Sequence, residues 1–239
     1  MALEQLRSRW EAVLPPLLKL VGNASPSTLT WAALPFGVAG AVCIAMAGME
    51  ASGSWLLLAG AAFVGISMIL DGLDGFVARN TGQVSRWGDY LDHTLDRVLD
   101  AVWVLALAAN ATFVGDVSLG FAAAWFTLLG SYMGTQAQAV AGSRNYRGFS
   151  RADRTVMTLA AVVLTAILIP FEAVEWGYFP SMFSHIPINP LSLMVFISGL
   201  GGIWTFLIRF IQASQKIKEI DAQDPLDQPG STESDESEG

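Results

Sequence analysis

Cysteine is almost missing from this chain: Cys43 stands alone, so no internal disulfide can form, and its apolar surroundings mark it as a packing or lipid-side residue. Charge is scarce as well. Only 14% of the 239 residues are Asp, Glu, Lys or Arg, where soluble domains carry about a quarter. That shortage excludes an ordinary water-facing surface. The charge of −8 is also misplaced for an acidic body. After Lys218 there are eight acids and no base, so the 21 acids and 13 bases of the whole leave 13 against 13 in the rest. Nothing here predicts nucleic-acid binding. No short apolar core with a small-residue cleavage site follows Arg7, Arg9 and Glu11, so no cleavable signal peptide is expected. No internal repeat is evident.

What the chain has instead is apolar length. It is 53% hydrophobic with a mean hydropathy of +0.47, which places it among integral membrane proteins. The runs divide into six expected transmembrane helices: about 28–47, 54–70, 88–111, 118–141, 155–171 and 191–211. The expected fold is therefore all-α, with three parts. Residues 1–22 form a juxtamembrane segment whose Leu3, Leu6, Trp10, Val13 and Leu17 suit either an amphipathic helix lying on the membrane or a plain leader into the first span. Residues 23–213 form the six-helix domain, and 214–239 an acidic tail expected to be disordered. Ser25-Pro26-Ser27-Thr28 is a helix start, and Pro35 can kink the first span.

The 13 Lys and Arg fall in the N-terminal segment, the connection between spans two and three with its flanks, the loop between spans four and five, or the C-terminal segment. The other three loops carry none. Under the positive-inside rule, both termini and the basic loops face the cytoplasm, in a multi-pass protein of the cell membrane.

Into this apolar frame the sequence places a run of aspartates. Asp71 and Asp74 are three apart, and Asp92 and Asp96 four apart. Residues so spaced share a helix face. If the two helices pack, four carboxylates converge, and such a cluster must hold protons or bind cations. Hard oxygen donors favour Mg²⁺, Mn²⁺ or Ca²⁺ over zinc. Intramembrane carboxylates read as functional by default. The alternative, a divalent-cation transport protein without transferase activity, uses the same aspartates but gives no role to the residues fixed between them.

The segment matches D-x2-D-G-x2-A-R-x8-G-x3-D-x3-D at Asp71, Asp74, Gly75, Ala78, Arg79, Gly88, Asp92 and Asp96. It resembles the signature of the CDP-alcohol phosphotransferases, membrane enzymes of phospholipid synthesis. That resemblance implies transfer of a lipid-phosphate group from a CDP-linked lipid to a small hydroxyl acceptor, with release of CMP and dependence on Mg²⁺ or Mn²⁺. Carried over residue by residue, it makes Asp71, Asp74 and Asp92 metal ligands and Asp96 the base that takes the acceptor proton, with a metal-bridging role for Asp96 also open. Gly75, Ala78, Ser85 and Gly88 would line the nucleotide site, and Arg79 would pair with phosphate. Asp100 reads as a supporting or helix-packing acid, and Asp89 and His93 as flanking residues.

Two readings of the acceptor remain. Arg144, Arg147, Arg151 and Arg154 suit a pocket for a phosphorylated polyol such as glycerol phosphate or inositol phosphate, or an anchor on anionic headgroups. Arg151-Ala152-Asp153-Arg154 is similar to an R-A-E-R stretch in prokaryotic inositol-phosphate-accepting members. The uncharged Gly134-Thr135-Gln136-Ala137-Gln138 stands where those members carry a basic run, and Ser27 where many carry Asn. With serine or another small alcohol as acceptor, Gln136 and Gln138 would be the contacts to seek. The same stretch with Arg144-Asn145-Tyr146 looks like archaeal members, so CDP-archaeol stands beside CDP-diacylglycerol as donor. Gly199, Gly201 and Gly202 suit close helix packing, within one chain or in a homodimer.

Overall fold

The computed structural model describes residues 24–143 and 147–224. The juxtamembrane segment, the loop residues 144–146 and the end of the tail therefore lie outside the described residues. Six α-helices follow in order: α1 (Pro26–Met46), α2 (Ala51–Thr81), α3 (Arg86–Ala109), α4 (Val117–Ala141), α5 (Arg151–Leu168) and α6 (Pro190–Gln223). Short 3-10 turns follow α5 at Ile169–Phe171 and precede α6 at Ser181–Phe183. Among the described residues there is no strand, only an isolated bridge between Tyr178 and Pro187.

Five of these helices are long and apolar enough to cross a membrane: α1, α2, α4, α5 with its 3-10 extension, and α6. Helix α3 is long enough at 24 residues, but Arg86, Asp89, Asp92, Asp96, Arg97 and Asp100 load it from its first residue to past its midpoint. The expected boundaries shift most in three places. The fifth helix starts at Arg151, four residues before the expected 155, so Arg151 and Arg154 lie within it. The second helix does not stop at Leu70 but continues to Thr81, so Asp71 and Asp74 lie within it. The last continues to Gln223, past the expected start of the tail at residue 214, because its sequence there holds no Gly or Pro to stop it.

The ends of the helices are set by side chains the sequence supplies locally. Ser25 caps α1 by accepting from the Thr28 amide at 3.2 Å, with Pro26 in the first turn. Gly82, at φ 70°, closes α2 in the left-handed region. Ser150 and Asp153 form a reciprocal capping box at the start of α5. Asn110, fully buried, donates to the carbonyls of Ile44 and Ala47 at 2.7 and 2.9 Å. It thereby satisfies the orphan end of α1 from the end of α3. Asn189 does the same for the α3–α4 connection, donating to Phe113 O at 2.6 Å while capping α6.

Helix α3 is the central element, packed against α1, α4 and α6, while α2 packs on α1 and α5. Small residues allow close approach. Trp103 on α3 reaches the carbonyl of Gly37 on α1 at 3.0 Å. Gly199 and Gly202 face Ala123 and the Phe126–Thr127 backbone of α4, and Gly201 faces the Phe149 ring. All three glycines are thus engaged within one chain.

At the far end of the bundle from the aspartates, Asp116 caps α4 by accepting from Leu119 N at 2.9 Å and meets His185 Nε2 at 3.0 Å. The Leu119 amide, and then His185, hold its carboxyl below the usual range. A lowered folded value means this stabilisation is present above an ordinary carboxylate pKa of about 3.9 and is lost as pH falls through the lower folded value. Asp116→Ala is expected to cost about 1 kcal/mol and Asp116→Asn, which still caps, only a few tenths. Thermal unfolding in detergent should show the gap between wild type and the alanine variant persisting down to about pH 4 and closing below it.

Candidate active site

The turn between α2 and α3, residues 82–85, brings the two halves of the aspartate run face to face. Asp71 and Asp74 sit on the last three turns of α2, and Asp92 and Asp96 on the second and third turns of α3. Asp71 is within hydrogen-bonding reach of both Asp92 and Asp96, and Asp74 lies in the field of Asp71 and Asp92. The four carboxylates that the sequence spacing predicts to converge do so. Thr30 of α1 donates its hydroxyl to Asp74 Oδ2 and fixes that carboxylate's orientation.

Carboxylates this close need a positive charge between them. Arg151 of α5 supplies one: Nη1 lies 2.9 Å from Asp71 Oδ2 and Nη2 2.7 Å from Asp96 Oδ1. The Asp96 contact is close but out of line for a hydrogen bond, which leaves that buried oxygen without a hydrogen-bond partner. A buried carboxylate oxygen with an unused lone pair, among three further hard donors, fits a divalent cation. His93 also turns toward the cluster. One of its ring nitrogens and oxygens of Asp92 and Asp96 lie within 4.8 Å of one another. From the sequence alone this residue reads as a flank. The i, i+1 step from Asp92 hides its approach, because the ring swings back between Asp89 and Asp92 at 3.6 and 3.8 Å.

Two cavities open on either side of the aspartates. One, of about 350 Å³, is lined by Ser27, Asp74, Gly75, Ala78, Arg79, Ser85, Gly88 and Asp92 among others. Every residue expected from the sequence to meet a nucleotide lines it. A Cβ on Gly75 would meet only the tip of Arg79, at 3.2 Å, so the glycine leaves the wall open. Ser85 also starts the next helix. Its Oγ accepts from Gly88 N at 3.0 Å and caps α3.

The other cavity, of about 280 Å³, lies between α3, α4, α5 and α6. Asp96, Arg97, Ser131, Arg151, Arg154 and Arg209 contribute polar groups to it. The capping box at Ser150 starts α5 with Arg151 and Arg154 three apart, on the face turned to the aspartates. Arg154 is buried and bonds Asp100 Oδ2 at 2.6 Å. Arg97 reaches Ser131. Arg209 is anchored by two carbonyls, Arg147 O and Gly130 O, both at 2.9 Å. Arg144 lies outside the described residues. Gln136 and Gln138 are exposed and line neither cavity.

Sequence reasoning missed Arg97, Arg209 and Thr30. The first two carry a usable signal, since an arginine inside an apolar span is functional by default. Thr30 carries none, because a threonine in a membrane helix is unremarkable until its partner is known.

With this geometry in place, comparison with known proteins is decisive. The model of the CDP-alcohol phosphatidyltransferase family matches residues 23–198. The chain belongs to that family. It is 31% identical over 175 residues to the phosphatidylinositol phosphate synthase of Cutibacterium acnes, covering 69% of this chain and 79% of that protein. It is 34% identical over 109 residues to the archaetidylinositol phosphate synthase of Pyrococcus horikoshii, covering 44% of this chain and 55% of that one. Its fold matches the crystal structure of Mycobacterium tuberculosis phosphatidylinositol phosphate synthase with CDP-DAG bound. The TM-score is 0.61 and the identity 24%, over 85% of this chain and 92% of that one. The same enzyme in complex with manganese and citrate matches equally, with a TM-score of 0.61 at 23% identity, over 85% and 88% of the chains. At these identities the structural matches show the fold. As a CDP-alcohol phosphatidyltransferase with several apolar helices, the protein is an integral membrane protein and an enzyme of phospholipid synthesis.

Proposed function

We propose that this CDP-alcohol phosphatidyltransferase transfers a lipid-phosphate group from a CDP-linked lipid, archaeol- or diacylglycerol-based, to a phosphorylated polyol, inositol phosphate or glycerol phosphate. The observation that carries the acceptor assignment is the second cavity: four guanidiniums, from Arg97, Arg151, Arg154 and Arg209, line about 280 Å³ beside Asp96. Arginine forks match phosphate geometry and suit partly buried anion sites. A membrane anchor needs no such enclosure.

In this reading the CDP group lies in the first cavity, with its pyrophosphate against the open wall of Gly75 and Ala78 and within reach of Arg79. Asp71, Asp74, Asp92 and Asp96 would hold one or two Mg²⁺ or Mn²⁺ ions, which would supply charge to polarise the phosphate and stabilise the leaving CMP. Arg151 and Arg154 place the acceptor phosphate so that its hydroxyl faces the lipid-side phosphorus. Asp96, on the wall shared by the two sites, takes the hydroxyl proton as the new P–O bond forms and the bond to CMP breaks. Helix α3 completes a set of six spans. Its charged half lies where α2 and α3 meet, and both termini and the site face the cytoplasm.

Purified full-length protein is given CDP-archaeol or CDP-diacylglycerol with Mg²⁺ or Mn²⁺ and one acceptor at a time. CMP release should occur with glycerol phosphate or inositol phosphate and not with serine or free inositol. Equal release with serine or free inositol would assign the arginines to lipid headgroups instead. Metal flux into liposomes with no CMP release under any condition would point to a transport protein.

A further inference from the structure

Asp100 is the most secluded carboxylate of the cluster, with its side chain 1% exposed. It lies one helical turn beyond Asp96, outside the eight-residue signature. Three guanidiniums converge on it. Arg154 Nη2 lies 2.6 Å from Oδ2, Arg97 Nη2 3.5 Å from the same oxygen, and Arg151 Nε 3.5 Å from Oδ1. The last contact is out of line for a hydrogen bond, and both Arg151 Nε and Asp100 Oδ1 lack other hydrogen-bond partners. All three arginines line the second cavity, whereas Asp100 does not reach it.

We infer that Asp100 is a positioning residue for acceptor specificity. It gathers Arg97, Arg151 and Arg154 behind the cavity so that their remaining N–H donors point at one phosphate dianion. The inference rests on the acceptor assignment made above. Three like charges in a space of low dielectric repel strongly, and a buried counter-charge is what lets them share one wall. Each guanidinium spends one nitrogen on Asp100, and the five-donor fork still leaves N–H groups on the terminal nitrogens for a ligand, even in Arg151, all three of whose nitrogens face carboxylates. Arg151 does this while bridging Asp71 and Asp96, and so links the anion site to the carboxylates where the reaction occurs.

The sign of the effect separates positioning from simple charge. Removing a carboxylate from beside an anion site ought, by charge counting alone, to strengthen anion binding. Positioning predicts the reverse, because the arginines separate once their shared anchor is neutral.

The test uses full-length protein in detergent, with Asp100→Asn and Asp100→Glu beside wild type. Asp100→Asn should raise the KM for the phosphorylated acceptor about tenfold or more, with kcat and the KM for CDP-lipid changed less than about threefold. It should also lose the thermal stabilisation that inorganic phosphate gives wild type. Asp100→Glu, which keeps the charge, should recover part of both. If Asp100→Asn does not fold, Arg97→Gln removes one of the three forks at a partly exposed position and should show the same split. Unchanged or tighter phosphate binding by the variant, with wild type preferring phosphorylated acceptors, would overturn the role of Asp100 alone. A wild type with no such preference and no response to inorganic phosphate would overturn the acceptor assignment as well.

Discussion

Asp96→Asn is expected to lower kcat by about 10³-fold, inside the ~10²–10⁴-fold span that general base catalysis supplies. Position is the reason. Asp96 lines the second cavity and is bridged by Arg151 to Asp71, which belongs to the other helix of the aspartate pair. In the proposed reading it is the motif carboxylate with one side toward the acceptor and the other toward the metal-binding group. Asparagine keeps the shape and an oxygen ligand but cannot take a proton. Mn²⁺ affinity, read by EPR titration of the same protein, should therefore fall by less than about tenfold. Asp92→Asn should give the opposite split. Asp92 lines the donor cavity and not the acceptor cavity, so its loss should appear first in Mn²⁺ affinity, with activity partly restored at high metal. A loss of Mn²⁺ affinity above ~100-fold in Asp96→Asn, with kcat restored at saturating metal, would leave Asp96 its ligand role alone and remove its role as base.

The cavity proposed for the donor was legible in the sequence and the one proposed for the acceptor only in outline, for a physical reason. Asp71 through Asp96 lie on two consecutive helices joined by a four-residue turn, 82–85. The 3.6-residue period then fixes which side chains face one another, and spacing alone predicts the convergence. The acceptor cavity draws on four helices. Arg209 on α6 meets Arg151 on α5 and Arg97 on α3 only because α3 packs centrally against its neighbours. No local period encodes that. Arg151 and Arg154 were legible only through the resemblance of Arg151-Ala152-Asp153-Arg154 to an R-A-E-R stretch, while the expected start at residue 155 left both in the loop; the Ser150–Asp153 capping box starts α5 four residues earlier and turns them toward the aspartates. The same limit explains α3 itself. It was expected as a span at 88–111, but the charges that make it read as an active-site helix keep it out of the five helices apolar enough to cross a membrane. The continuation of α2 to Thr81 was hidden because a hydropathy boundary at Asp71 looks like a helix end. The backbone has no reason to stop there before Gly82.

Gly202→Ala is expected to be the most damaging single methyl addition on the α4–α6 contact, costing about 3 kcal/mol, at the upper end of overpacking effects. A Cβ built at Gly202 would lie 2.6 Å from Phe126 C, 2.7 Å from Thr127 N and 2.8 Å from Phe126 O. These are backbone atoms of α4, so no side chain can rotate away and the helices must separate. Membrane helices depend on such close contacts, because lipid is as apolar as the side chains and little hydrophobic force presses the helices together. Separation should also reach the acceptor cavity. Gly202 lines it, Arg209 on the same helix bonds Gly130 O across the contact, and Thr205 Oγ1 accepts from Phe149 N at 2.8 Å, just before α5. The acceptor KM should therefore rise while the KM for CDP-lipid, whose cavity is built from α1, α2 and α3, changes little. Gly199→Ala is the control. Its Cβ would meet Ala123 at 3.4 Å, an ordinary contact, and alanine favours a helix over glycine by about 1 kcal/mol. That variant should melt at or slightly above the wild-type temperature with unchanged kinetics. Equal losses in both variants would mean that the whole α4–α6 face is intolerant of added volume, rather than that backbone approach at Gly202 sets the geometry of the acceptor site.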